Sequence, residues 1–235
     1  MVKLQYRHLG TCAGSFDLAF VIDSSGSIEE KGAGNWNVVL QFVANVINRF
    51  TIGQNAVRAA LVRYGETANV EFYLNEYYNN AAMTNRILQT GYLDQRTNTA
   101  DGIKVLREDI FQTFNGARNG VDWVGIVITD GESNVRQGEA GGEASLARSQ
   151  GIRLIAVGVT DSVDMGELNS IAATSADVIT VEDFSTLTQR LDDILSFACP
   201  TPGPATPRPT PAPTPQPTPA PSPGETFYFS LIITA

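Results

Sequence analysis

The chain has 235 residues, 43% of them apolar and 17% charged, with a net charge of −9. That length allows one ordinary domain plus a tail, or two small domains, with core enough to fold without staples. Its longest apolar runs, such as Leu18–Ile22 and Val124–Ile128, are far too short to span a bilayer, and its acidity argues against a nucleic-acid or anionic-membrane partner.

Taken in chain order, short apolar runs alternate with longer amphipathic stretches. The first 25 residues lack a long apolar centre with a small-residue cleavage site behind it. They are not expected to be a signal peptide, so the sequence reads as a mature segment or a piece of a larger chain. DLAFVID (17–23) is a continuous apolar run bounded by acids, which fits a strand buried on both faces. Residues 35–50 carry Trp36, Val39, Leu40, Val43, Val46, Ile47 and Phe50 at a helical period. Residues 57–64 and 68–73 read as a strand pair joined in a hairpin, and 84–90 and 101–111 as helices. WVGIVIT (123–129) is a second fully apolar strand, 142–150 a helix, RLIAVGV (153–159) a third buried strand, 165–173 a helix, 177–181 a strand and 184–197 a final amphipathic helix. The expected fold is therefore α/β: a doubly wound, mostly parallel central sheet with helices on both faces and one short antiparallel edge hairpin. Such sheets bind ligands at the carboxyl ends of their strands.

All 12 prolines lie between Pro200 and Pro223, in a window that is half proline with Thr, Ala and Ser between. Proline removes a donor and fixes φ, so neither helix nor central strand is open to it. Polyproline II at about 3.1 Å per residue would carry its length to roughly 75 Å, a semi-rigid stalk of a composition suited to O-glycosylation. The expected organisation is an N-terminal extension (1–11), a folded domain (12–199), the stalk (200–224) and, at 225–235, the start of a further segment or an unstructured end. Cys12 and Cys199 flank the Pro-free block. They read as a disulfide closing the domain, which implies an oxidising, extracellular setting; the alternative is two unrelated buried thiols. The block between them holds 13 basic and 24 acidic residues, a charge of −11 that is compatible with a bound cation.

Three loops carry candidate chemistry. Asp23-Ser24-Ser25-Gly26-Ser27 follows the first buried strand and places one carboxylate and two hydroxyls on a single loop; such loops also occur as plain turns. Asp130-Gly131-Glu132-Ser133 follows WVGIVIT and supplies a second strand-end carboxylate, though Asp-Gly is also a common turn. Thr97-Asn98-Thr99 lies between, offering Thr97 as a third hydroxyl; the alternative is that Thr97 or Thr99 only caps the next helix. Together, Asp23, Ser25, Ser27, Thr97 and Asp130 make an all-oxygen set suited to a hard divalent cation, Mg²⁺ before Mn²⁺ or Ca²⁺. Two charges among five groups leave such an ion electrophilic and open to a partner's carboxylate. Ser24, Asn98, Glu132 and Ser133 are the residues expected to surround the open face as ligand contacts.

DLAFVIDSSGSI, TNTADGI and GIVITDGES resemble the von Willebrand factor type A fold in order and spacing, over about residues 15–198. The second and third are similar to the inserted domains of integrin α-subunits, and the flanking cysteine pair to the A domains of matrilins and fibrillar-associated collagens. The resemblance implies a metal-ion-dependent adhesion site with Asp23, Ser25, Ser27, Thr97 and Asp130 as metal ligands. It also implies an extracellular matrix protein such as collagen, or a cell-surface protein offering a Glu or Asp, as partner. In integrins the final helix slides between affinity states; here Cys199 would tether the end of 184–197, and a near-constant affinity is expected.

Catalysis is not expected. His8, the one histidine, lies outside the block, so neither a Ser-His-Asp nor a Cys-His arrangement can form within it. A Mg²⁺-dependent phosphoryl hydrolase would want a second acid where Ser25 stands. Gly32-Ala33-Gly34 lacks the third glycine of a dinucleotide loop, and the Tyr-rich residues 71–80 read as a solvated connection or a ligand-contacting patch. The competing class is structural, a matrix or cell-wall component in which domain and stalk link fibres without metal-gated binding.

Overall fold

The computed structural model describes residues 14–192. The cysteine pair, the N-terminal extension, the stalk, residues 225–235 and the end of the expected last helix all lie outside the described residues. Within them the chain runs β1 (Phe16–Asp23), α1 (Ser27–Glu30), α2 (Asn35–Ile47), β2 (Arg58–Tyr64), β3 (Ala68–Phe72), α3 (Asn80–Leu88), α4 (Thr99–Val105), β4 (Asp122–Thr129), α5 (Ala140–Ser149), β5 (Ile152–Val159), α6 (Met165–Ile171), β6 (Val178–Val181) and α7 (Phe184–Leu187). The strands form a six-stranded sheet in the order β3-β2-β1-β4-β5-β6. All pairs are parallel except β2–β3, the hairpin at one edge.

Every residue of β1 is buried, and β4 and β5 expose little more than a terminal residue, because helices cover both faces of a parallel sheet. The pleat divides the side chains between two cores. Leu18, Phe20 and Ile22 of β1 and Val124, Ile126 and Ile128 of β4 pack with Trp36, Val39, Val43 and Ile47 of α2 on one face. The other face carries Val21, Val62, Tyr64 and Val127 with the small residues Ala19, Ala60 and Ala156 between them, together with Gly125. A methyl group on Gly125 would stand 2.9 Å from Leu106, and one on Gly102 of α4 would stand 2.8 Å from Val21 and 2.9 Å from Tyr64. The missing side chains let α4 lie close on β1 and β2. That closeness sets the loop before α4 beside the carboxyl ends of those strands.

Four elements differ from the sequence expectation, among them the last helix, where α7 gives way to a 3-10 turn at Thr188–Arg190. α3 starts four residues earlier than Thr84, because the Asn79 side chain accepts the Ala82 amide and caps it. The expected helix over 101–111 begins at Thr99 and passes into a π-helical turn at Leu106–Ile110. α1 was not expected; its single turn is too short to show a period. In the Tyr-rich segment, Tyr77 packs edge-on against Phe72 with ring centroids 5.3 Å apart, while Tyr78 is 38% exposed.

Candidate metal centre

β1 is followed by β2 on one side and flanked by β4 on the other, so the chain leaves these two neighbours in opposite directions. A crevice opens at their carboxyl ends, the switch point where doubly wound sheets bind ligands. Asp23 is the last residue of β1. Its Oδ1 accepts the Ser25 amide at 2.9 Å, closing a tight local turn, and its Oδ2 accepts the Thr129 hydroxyl of β4 at 2.9 Å. The residues before α4 run alongside this first loop: Asp94 N and Gly26 N donate across it to Ser24 O and Gln95 O at 3.1 and 2.8 Å. The third loop closes the ring, with Asn134 N and Val135 N both donating to Thr97 O at 3.0 Å, and Thr97 N donating to Asn134 Oδ1 at 2.9 Å.

Within that ring three of the five expected ligands form a chain of side-chain contacts, and Asp23 joins it through the Ser25 amide. Ser25 Oγ lies 3.1 Å from Ser27 Oγ, and Ser27 Oγ donates to Asp130 Oδ1 at 2.7 Å. Thr97, buried on the adjoining loop, is the fifth. Asp23 and Asp130 are both buried. Burial, and then repulsion from Asp130, pushes the Asp23 carboxyl up to about 6, against the pull of its hydrogen bonds from Ser25 and Thr129. Asp130 Oδ2 is buried and accepts no hydrogen bond. The Lys31 ammonium stands 3.1 Å from it but directs its hydrogen bonds to the Asp130 carbonyl and to Thr160 Oγ1. It thus balances the charge of Asp130 through an ion pair. A divalent cation would bring that oxygen a second positive partner, with the neighbouring hydroxyls as further ligands.

The donor set fits a hard divalent ion: two carboxylates and three hydroxyls, all oxygen. No group of three or more His, Cys, Asp or Glu suited to a metal occurs among the described residues, so the hydroxyls are indispensable to any ion held here. Asp23, Ser25, Ser27, Thr97 and Asp130 are the residues that would hold it.

The expected ligand rim is smaller than the sequence suggested. Ser24 is buried, its Oγ accepting the Leu93 amide at 2.9 Å. Asn98 is buried and caps α4, Oδ1 accepting from Asp101 N, while its Nδ2 donates to Glu66 O at 2.8 Å; the cap is therefore Asn98 rather than Thr97 or Thr99. Ser133 is buried 2.8 Å from both Thr99 Oγ1 and Glu167 Oε1. These three side chains point inward and hold loops in place. Glu132 is exposed and accepts from Gln137. The sequence reading missed Thr129, Tyr92, whose hydroxyl holds Ser25 O at 2.5 Å, and the pair Lys31 and Thr160. Thr129 was legible as the hydroxyl beside Asp130. Nothing in the sequence ties Lys31 to a loop 99 residues away.

A profile of the von Willebrand factor type A domain matches residues 17–193. The chain belongs to this family. It is 35% identical over 193 residues to the transmembrane cell adhesion receptor mua-3 of Caenorhabditis elegans, covering 79% of this chain and 5% of the receptor. It is 32% identical over 164 residues to chicken matrilin-1, covering 70% of this chain and 32% of the matrilin. Among solved structures it is similar to proximal thread matrix protein 1 of the mussel byssus, in a form whose MIDAS motif is occupied by zinc. There the TM-score is 0.74, identity 29%, and coverage 80% of this chain and 46% of that one. The chain thus spans under half the length of these relatives. The fold, a mostly parallel six-stranded sheet with helices on both faces, agrees with that of the solved thread matrix protein. The likeness to matrilins and to the α1 chain of collagen XII sets it among extracellular matrix proteins. No helix among the described residues is long and apolar enough to cross a membrane.

Proposed function

We propose that the domain is a divalent-cation-dependent adhesion module of the extracellular matrix and not an enzyme. The observation that carries this is the buried pair Asp23 and Asp130 at the carboxyl ends of β1 and β4, with the hydroxyls of Ser25 and Ser27 chained to Asp130 and Thr97 buried on the adjoining loop. Mg²⁺ suits a site of small hydroxyls best, with Mn²⁺ and Ca²⁺ as substitutes. When bound, the ion would supply an electrophile able to accept a carboxylate oxygen from another molecule. This chain's residues do the rest. The Asp23 turn and the Thr129 hydroxyl fix the first carboxylate, Ser27 fixes the second, and the inward-pointing Ser24, Asn98 and Ser133 keep the three loops in register. The partner is a Glu- or Asp-bearing matrix protein such as collagen, or a cell-surface protein, and Glu132 is the exposed rim residue. The reading of Cys12 and Cys199 as a closing disulfide and of residues 200–224 as a stalk suits a domain displayed outside the cell.

The test is a panel of purified matrix proteins, collagen included, probed with wild type and Asp130→Ala in Mg²⁺ and in EDTA. Retention by at least one matrix protein, lost in EDTA and in the variant, is expected. Capture that survives both treatments would overturn the metal-gated reading. It would favour a fibre-linking component, the role for which similarity to a thread matrix protein speaks.

A further inference from the structure

Lys31 reaches the metal centre from just beyond α1. Its ammonium lies 3.1 Å from Asp130 Oδ2 and 3.1 Å from Thr160 Oγ1, and it donates to the Asp130 carbonyl. Thr160 in turn donates to the same carbonyl at 3.2 Å. Thr160 holds a left-handed backbone, φ 81°, which a β-branched residue adopts only when its surroundings hold it there. Its amide donates to Val181 O at 2.8 Å. Three segments, after α1, after β4 and after β5, therefore meet on one side chain. The Lys31 side chain remains 25% exposed, so a path to solvent is open to it.

The place it would go to is beside it. A cleft of about 380 Å³ opens next to Lys31, lined by Asn35, Thr160, Asp161, Glu182 and Asp183 among others. Asp183 is engaged as the cap of α7, and the other two acids, Asp161 and Glu182, offer an ammonium group an alternative to Asp130. A unit positive charge next to Asp130 opposes a second cation at the same carboxylate, with a force that partial burial leaves only partly screened.

We propose that Lys31 is a built-in competitor for the divalent ion. It neutralises Asp130 in the metal-free protein and swings into the acid-lined cleft when the ion binds, so metal affinity is set by the exchange. This rests on the metal-site reading above, and the experiment separates the two.

Mn²⁺ affinity is measured by titration calorimetry on metal-stripped wild type, Lys31→Met and Lys31→Arg, each checked for native circular dichroism. Lys31→Met should bind Mn²⁺ at least about tenfold more tightly, the smallest effect expected for a unit charge at this distance. Lys31→Arg, which keeps the charge, should stay near wild type. If Lys31→Met does not fold, Lys31→Gln carries the same expectation. The double change Asp161→Asn/Glu182→Gln should weaken Mn²⁺ binding in the wild-type background and have little effect in the Lys31→Met background, a coupling that simple long-range attraction by the acids would not produce. Equal or weaker binding by Lys31→Met overturns the proposal while leaving the metal site standing. A wild type that takes up no Mn²⁺ overturns the site itself.

Discussion

β1 carries a buried aspartate at each end, and the two are treated in opposite ways. Asp17, at the amino edge of the sheet, receives the Arg118 amide on Oδ2 at 2.7 Å and the Arg118 Nε on Oδ1 at 2.9 Å, and the same guanidinium holds the carbonyls of Phe16 and Ala56 at 2.9 Å. Burial raises its carboxyl, and Arg118 pulls it back. Asp23, at the carboxyl edge, is raised by burial and raised again by Asp130. Only neutral donors oppose the shift. One end of the strand is a closed structural ion pair, and the other gathers two carboxylates with one part-exposed lysine, Lys31, paired to Asp130. In a buried setting the first arrangement holds the fold together, and the second keeps its electrostatic demand for something that arrives from outside.

The sharpest way to break this contrast is at the closed end. Arg118→Ala strands Asp17 in the interior, and removing one partner of a buried pair costs about 3–5 kcal/mol. Urea unfolding should show that loss, while Mg²⁺ should still raise the midpoint of the weakened protein. A loss under 1 kcal/mol would mean that the two ends are alike. At the open end Asp130→Asn should leave metal-free stability within about 1 kcal/mol of wild type, since it relieves repulsion on Asp23. It should abolish the gain from Mg²⁺, which a site at a hundredfold excess over Kd would place at about 2.7 kcal/mol. A variant that kept the gain would put the ion elsewhere.

A smaller effect follows from protons. Asp23 sits at about 6 in the fold against an ordinary 3.8, so the fold favours its protonated form. Its contribution to metal-free stability is full below about 3.8 and lost as pH rises through 6. The ion needs the carboxylate, so Mg²⁺ affinity should be flat above pH 7 and fall about tenfold per unit below 6. Calorimetry at pH 7.5 and 5.0 checks this, and equal affinity at both would remove Asp23 from the site. The smallest effect belongs to the loop supports: Asn98→Ala removes the α4 cap and should cost about 1 kcal/mol of stability. A chemical denaturation curve that did not move would show the cap to be dispensable.

Legibility in the sequence followed the same division. β1, β4 and β5 were readable because strands buried on both faces must be continuously apolar, and the loops after the first two were readable because hydroxyls and acids cluster there. The start of α3 was hidden in the pair Asn79-Asn80, where either residue suits a cap and only the fold chooses. The rim was misjudged because a polar loop residue points outward or inward according to partners far away in the chain. Ser24 finds Leu93, Ser133 finds Thr99 and Glu167, and Asn98 finds Glu66. Lys31 is the extreme case, an exposed-looking lysine in a charged stretch whose partners, Asp130 and Thr160, come from the other half of the sheet.

The claim beneath all of this is that the carboxyl edge of β1 and β4 is an oxygen-lined seat for one divalent cation. Mn²⁺ uptake followed by electron paramagnetic resonance on metal-stripped, natively folded protein tests it most directly. One saturable site, displaced by Mg²⁺ and absent in Asp130→Asn, is the outcome expected. A spectrum showing only free Mn²⁺ at every protein concentration, or uptake undiminished by the substitution, would contradict it.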